Sequence, residues 1–243
     1  MKITLINPNT TASMTRKALA SAQAAAAPDT TVVGVQPAMG PESIEGFYDE
    51  AFSIPGLIQE ITAAPDSDGY VLACFDDTGL DAARCITRAP VVGIGEAAFH
   101  MASMVANQFG VVTTLSRSLP ALNHNLVKYG LAARCSGVRA SDIPVLDLEK
   151  NDPEALATIA AVIGRCRDED GAEAIVLGCA GMTDLASDLQ AQQGLPVIDG
   201  VGCAVKLVEG MVSLGIKTST AGGYAPPRHK RYSGALSGFA PSV

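Results

Sequence analysis

Val71-Leu72-Ala73-Cys74 and Val176-Leu177-Gly178-Cys179 match at three of four positions and lie 105 residues apart. Short, wholly apolar runs of this kind suit strands buried on both faces of a parallel sheet. Each is followed by a polar loop, Asp76-Asp77-Thr78 or Gly181-Met182-Thr183-Asp184, and then by a helical stretch in which Leu80 and Leu185 share a register. A proline-led strand closes each unit, Pro90-Val91-Val92-Gly93 or Pro196-Val197-Ile198-Asp199. Upstream, Thr4-Leu5-Ile6 running into Asn7-Pro8-Asn9-Thr10 corresponds to Val111-Val112 running into Thr113-Thr114-Leu115-Ser116. This agreement in order and spacing points to two similar α/β lobes.

Working outward, strands are expected at 2–6, 31–36, 69–74, 91–94, 109–114, 138–145, 174–179 and 197–199. Helices are expected near 11–26, 43–63, 79–88, 95–107, 118–130, 153–169, 183–192 and 201–214. Asn9, Thr10 and Thr11 can cap the first helix, and Asn151 and Asp152 precede a helix that starts at Pro153. The first lobe is expected to comprise residues 1–96 with 215–243, the irregular C-terminal segment packing back on it, and the second residues 97–214.

The 243 residues are 48% hydrophobic and 17% charged, a globular composition. Seventeen Lys and Arg against 25 Asp and Glu give a net charge of −8, with no basic run. A nucleic acid or an anionic membrane is therefore not an expected partner. No apolar stretch reaches the roughly 18 residues of a spanning helix, and Met1–Asn9 is too short for a signal peptide, so a cytoplasmic protein is expected. So few charged residues leave apolar surface and point to a homo-oligomer. The six cysteines, 11, 50, 31, 13 and 24 residues apart, form neither a C-x-x-C pair nor a disulfide framework and read as free thiols.

In open α/β sheets ligands bind beyond the carboxyl ends of the strands, where loops and helix N-termini offer N–H groups. Cys74 and Cys179 both fall there. A helix N-terminus beyond each sulfur would favour the thiolate. If the lobes face each other about a pseudo-two-fold axis, the sulfurs approach one cleft from opposite sides, as a two-base racemase needs. Taken singly, either cysteine reads better as a small hydrophobe at the end of a strand, and it is the pair in matching places that shifts the balance towards chemistry. Cys85, Cys166 and Cys203 fall in expected helices and Cys135 in a turn, with no such context. His100, His124 and His229 are isolated from one another, so no metal is expected. Gly93-x-Gly95 and Gly200-x-Gly202 lack the third glycine of a dinucleotide site, and no G-x-S-x-G elbow occurs. No cofactor is expected. Asn7, Asn9, Thr113 and Thr114 at the other strand ends are candidates for holding a carbonyl oxygen or ring N–H, or simply for capping helices. Asp76 and Asp77 can cap as well, though a carboxylate so near Cys74 matters electrostatically.

Leu-Ile-Asn-Pro-Asn-Thr at 5–10, Ser-Ile-Glu-Gly at 43–46, Ala-Cys-Phe-Asp-Asp-Thr-Gly-Leu at 73–80, Val-Thr-Thr-Leu at 112–115 and Val-Leu-Gly-Cys-Ala-Gly-Met at 176–182 resemble the hydantoin and allantoin racemase branch of the aspartate/glutamate racemase superfamily. The resemblance runs nearly end to end. It implies two Rossmann-like lobes with the active site between them, no cofactor, and a thiol/thiolate pair acting on a carbon acid. By motif position it makes Cys74 and Cys179 the catalytic pair, with Asn9, Phe75, Asp76, Thr113, Thr114, Ala180 and Gly181 as substrate-binding residues. Amino-acid racemases of the superfamily place Asn-Thr after the first cysteine and Thr-His after the second. Here Phe75-Asp76 and Ala180-Gly181 stand there, which suits a neutral cyclic ureide. The carbonyl next to the ring stereocentre acidifies its proton, so thiolate catalysis can suffice without an electron sink. The segment Glu96–Ala102 resembles allantoin racemases more than racemases of 5-alkylhydantoins. The competing expectations are an aspartate or glutamate racemase, a decarboxylase or isomerase of the same superfamily, and a non-catalytic small-molecule-binding protein.

Overall fold

The computed structural model, which describes residues 1–145, 147 and 152–241, contains two four-stranded parallel sheets flanked by helices. In chain order the elements are β1 (Lys2–Ile6), α1 (Ala12–Ala25), β2 (Thr31–Val35), α2 (Phe47–Ala63), β3 (Gly69–Leu72), α3 (Leu80–Arg84), β4 (Val91–Gly93) and α4 (Ile94–Val105). There follow β5 (Phe109–Thr113), α5 (Leu119–Lys128), β6 (Cys135–Ala140), α6 (Pro153–Asp168), β7 (Ala174–Gly178), α7 (Ala186–Gln193), β8 (Val197–Asp199) and α8 (Gly200–Ser213). The first sheet has the order β2-β1-β3-β4 and the second β6-β5-β7-β8, the same permutation twice. The duplication legible in the two cysteine motifs is therefore a duplication of topology, and the fold is α/β with two similar lobes.

In each sheet the chain moves outward from the first strand and then returns to its other side, so a switch point lies between β1 and β3 and another between β5 and β7. The loops beyond the carboxyl ends of these strands are where such sheets bind ligands. Residues alternate across each strand. Ile3, Leu5 and Val71 face a core that continues through Phe99 of α4 and Val201, Val205 and Val208 of α8 to Val111 and Val176 of the second sheet. The opposite faces are covered separately, by α2 and α3 around Ile6, Leu57 and Tyr70, and by α6 and α7 around Ile159, Ile175 and Leu189. Helices α4 and α8 thus serve both lobes at once. Their starts come very close, since a Cβ on Gly200 would lie 2.3 Å from the Ile94 carbonyl oxygen.

The structure differs from the sequence-based expectation at several element ends. Two expected strands, 69–74 and 174–179, end earlier, at Leu72 and Gly178, because the chain leaves the sheet just before each cysteine. The expected strand 138–145 is displaced to Cys135–Ala140. Asp142 takes a left-handed conformation (φ 56°), and its Oδ1 accepts from the Ser116 N–H at 2.9 Å, pulling the chain off the sheet edge. Cys135 accordingly opens a strand and does not sit in a turn. The helix expected over 79–88 is confined to Leu80–Arg84, with Cys85 as its C-cap. Asp152 caps α6 through the Glu154 N–H at 3.1 Å, whereas Asn151 lies outside the described residues. After α8 the chain returns to the first sheet's side, where Thr218 N–H donates to the Arg88 carbonyl at 2.9 Å and the Tyr224 hydroxyl meets Asp81 at 3.3 Å. No helix among the described residues is long and apolar enough to cross a membrane.

Candidate active site

A cleft lies where the carboxyl ends of β1, β3, β5 and β7 converge. Its lining brings together Asn9, Cys74, Phe75, Asp76, Thr113, Thr114, Cys179 and Ala180, all singled out from the sequence. Gly181 follows in the 3-10 helix Ala180–Leu185. Cys74 is contributed by the first lobe and Cys179 by the second, each from the loop after the same strand of its sheet. Both sulfur-bearing residues are partly exposed.

The surroundings of Cys74 differ from the sequence-based expectation. Its sulfur lies 3.4 Å from the Thr78 hydroxyl, and five residues of loop separate it from α3. No helix N-terminus follows directly. Burial, and next the Asp76 carboxylate, push the Cys74 thiol well above its ordinary range, with Thr78 pulling the other way. At Cys179 the 3-10 helix begins with the next residue, and the Cys179 carbonyl accepts from the Met182 N–H at 3.0 Å.

Asn9 and Asn7 divide the work expected of both. Asn7 is buried and its Nδ2 donates to Asn9 Oδ1 at 2.8 Å and to Thr15 Oγ1 at 3.1 Å, so it orients Asn9 from behind. Asn9 Oδ1 also accepts from the Thr11 N–H, which leaves its Nδ2 facing only the weak acceptor Met14 Sδ at 3.6 Å. That amide is a donor held ready for the cleft. Thr113 donates to the Gly178 carbonyl at 3.0 Å and so fixes the strand end that carries Cys179. The Phe75 ring is turned into the core, edge-on to Phe99 at 5.4 Å, and only 4% of the residue is exposed.

The sequence did not single out Met14, Ile44, Ser118 and Val145, which also line the cleft, as do Ala73 and Gly178 of the cysteine motifs. Met14 lies in the first turn of α1 and Ile44 belongs to the Ser-Ile-Glu-Gly motif, signals that were present without marking the cleft. The structural role of Asp77 was equally hidden. Its carboxylate caps α4, not the helix that follows it, accepting from Gly95 N–H at 3.0 Å and Glu96 N–H at 2.7 Å, while the Tyr129 hydroxyl donates at 2.7 Å. This explains Gly93-x-Gly95. A Cβ on Gly93 would lie 2.0 Å from Asp77 Oδ1, and one on Gly95 2.3 Å from the Phe75 carbonyl oxygen. Among the described residues no three His, Cys, Asp or Glu side chains gather as metal ligands.

Burial pushes Asp77 up to about 7 against the bonds from Tyr129 and the backbone, and it pushes Asp76 to about 7 with help from Glu50 and Asp77. Both carboxyls hold protons in the folded chain that the unfolded chain, near pH 4, has already released. Stability is therefore greatest below about pH 4 as far as these two groups are concerned and falls as the pH rises towards 7. Denaturant midpoints measured across that window are expected to show a shallower fall in Asp76→Asn than in the parent chain. An unchanged slope would contradict the assignment.

The sequence model of the family described as Asp/Glu/Hydantoin racemase matches residues 3–208. A hydantoin racemase from Pseudomonas sp. (strain NS671) is 48% identical over 242 residues, covering 98% of this chain and 97% of that protein. Among solved structures, an allantoin racemase from Klebsiella pneumoniae superposes with a TM-score of 0.95 at 45% identity, covering all of both chains. The allantoin racemase from Pseudomonas fluorescens superposes with a TM-score of 0.93 at 37% identity, covering 96% of this chain and 100% of that one.

Proposed function

The chain belongs to the Asp/Glu/hydantoin racemase family and is a racemase, and from that premise we propose that it inverts the stereocentre of a hydantoin-type cyclic ureide through Cys74 and Cys179. The observation that carries this reading is the placement of the two cysteines, one from each lobe, at topologically equivalent strand ends of one cleft. One thiolate takes the proton from the ring carbon next to the carbonyl. The C–H electron pair passes into the enolate and an S–H bond forms. The opposite thiol then gives its proton to the other face, and the electron pair returns to carbon, leaving the two sulfurs with exchanged protonation states.

Charge develops on the enolate oxygen, where a preorganised neutral donor is worth most. Asn9 Nδ2 fits that role, and Thr114 and the N–H groups after Cys179 are further candidates. Allantoin is the substrate we favour over 5-alkylhydantoins. The similarity to allantoin racemase structures supports this choice. The segment Glu96–Ala102 does not, since it lies in α4 with Phe99 fully buried, away from the lining. Six free cysteines suit a reducing compartment, in keeping with a cytoplasmic enzyme.

The test is incubation of single-enantiomer allantoin, and separately of a 5-alkylhydantoin, in deuterated water with EDTA, against an enzyme-free control. Enzyme-dependent loss of optical rotation with deuterium at the stereocentre is expected, faster with allantoin. Exchange with aspartate or glutamate alone would move the substrate to the amino acids. Tight binding without exchange of any substrate hydrogen would make the protein a binding module.

A further inference from the structure

The proton transfer leaves one carboxyl group at the Cys74 side of the cleft without a role, and a second, Glu50, behind it. Asp76 lines the cleft two residues beyond Cys74. Its backbone is fixed, because Asn125 Nδ2 donates to its carbonyl oxygen at 2.8 Å, while its carboxyl makes no hydrogen bond or ion pair among the described residues. Glu50, in the first turn of α2, has its Oε1 buried without a hydrogen-bond partner. Two carboxyls without donors are costly in a partly desolvated wall unless a ligand supplies the donors.

The charged groups around Asp76 are of one sign. Glu50 faces it from α2 and Asp77 from its own loop, and Glu50 is the stronger repulsion of the two. The Asp77 carboxylate is already engaged by Gly95, Glu96 and Tyr129. The guanidinium of Arg117 reaches over Gly46 at the head of α2 but pairs with neither Asp76 nor Glu50. Burial together with these neighbours holds the Asp76 proton up to about 7, so the wall gains negative charge within the neutral range.

We infer that Asp76 is the specificity-determining wall of the cleft, accepting N–H groups of an uncharged ring or its uncharged substituent and turning away substrates that bear a carboxylate, with Glu50 acting on it from behind the lining. The choice of ring rests on the reading above, whereas the rejection of anions follows from the wall itself. A ring N–H or a ureido N–H supplies the donor that the unpartnered Asp76 carboxyl lacks. A substrate carboxylate would instead lose its water beside like charges with no cation to compensate. Glu50 acts through Asp76 as a positioning residue, keeping a proton on Asp76 at a pH where an isolated carboxyl has lost it.

Alkylation of Cys74 by neutral iodoacetamide and anionic iodoacetate, mapped by mass spectrometry between pH 6 and pH 8.5, tests this without any substrate. Both reagents need the same thiolate, so their rate ratio cancels the thiol's own ionisation. In the parent protein the ratio of iodoacetamide to iodoacetate labelling is expected to rise roughly 5-fold across this range as the wall ionises. It should rise much less in Asp76→Asn, where only Asp77 is left to ionise near Cys74 in this range. In Glu50→Gln the rise should move to lower pH. Labelling of Cys85, outside the cleft, should show none of these changes. Superimposable curves for Cys74 in the parent and in Asp76→Asn would overturn the proposal, and that variant decides even if Glu50→Gln does not fold. In a second arm, the preference for 5-carbamoylmethylhydantoin over 5-carboxymethylhydantoin should fall several-fold in Asp76→Asn. A shifted labelling ratio in a protein that racemises neither ring would uphold the anion-rejecting wall while removing the racemase reading of its substrate.

Discussion

Cys74→Ser and Cys179→Ser each lose racemisation, by about 10²–10⁴-fold in kcat/KM, the range a positioned acid or base contributes. A serine hydroxyl fills nearly the same space as the thiol but does not ionise near neutral pH, so the loss is chemical and not a failure of packing. The single variants also separate two mechanisms. If one sulfur serves both faces, the flattened carbanion turning over between removal and return of the proton, the variant of the idle cysteine keeps full activity. If the sulfurs work on opposite faces, each variant stops inversion, and the surviving thiol can at most exchange the hydrogen of one enantiomer without changing its configuration. Polarimetry and deuterium uptake measured together distinguish these outcomes. Cys166→Ser is the control, because Cys166 is fully buried against Ile159 and Ile163 in the outer core of the second lobe. That substitution is expected to cost about 1–3 kcal/mol of stability, as buried hydroxyls do, while the active fold keeps its rate. Full racemisation by either Cys74→Ser or Cys179→Ser refutes the two-thiol mechanism.

Much of the architecture was legible because parallel strands buried on both faces are nearly continuous runs of apolar residues, and Ile175-Val176-Leu177 admits few other readings. The repeat added the topology, since the same order of strand, polar loop, helix and proline-led strand recurred at one spacing. The cleft was legible to the extent that strand ends carry it. Asn9, Asp76, Thr113 and Cys179 are all read from position along the chain. Met14, Ile44, Ser118 and Val145 reach the cleft through tertiary folding, and no local pattern marks them. The electrostatics of Cys74 were misread for a related reason. A helix N-terminus was expected beyond the sulfur, but the chain first forms the loop Phe75–Gly79, whose carboxyls oppose the thiolate. What the Gly93-x-Gly95 pair does could not be read either, because its partner Asp77 lies 18 residues before Gly95.

Asp77→Ala is expected to destabilise the protein by about 3 kcal/mol or more, since it strips acceptors from the buried Gly95 and Glu96 N–H groups and from the Tyr129 hydroxyl, and an unpaired buried donor costs about 1–3 kcal/mol. Water cannot readily replace the lost carboxylate, because Asp77 is only 6% exposed and packed against glycines that leave room for nothing larger. Its backbone stands at φ 52°, a left-handed conformation that an alanine adopts at a cost of about 1–2 kcal/mol and a glycine without strain. Comparing Asp77→Ala with Asp77→Gly in denaturant unfolding therefore separates the two contributions. The glycine variant should recover about 1 kcal/mol and no more, leaving the larger loss to the missing bonds. The effect reaches the cleft, since the Asp77 N–H donates to the Cys74 carbonyl at 3.0 Å and so closes the turn that presents the sulfur. Racemisation should fall in both variants even at temperatures where they remain folded. An Asp77→Ala protein within 1 kcal/mol of the parent would mean that α4 finds another cap and that the loop bearing Cys74 is held by its remaining contacts, Asn125 to Asp76 and Thr78 to the sulfur.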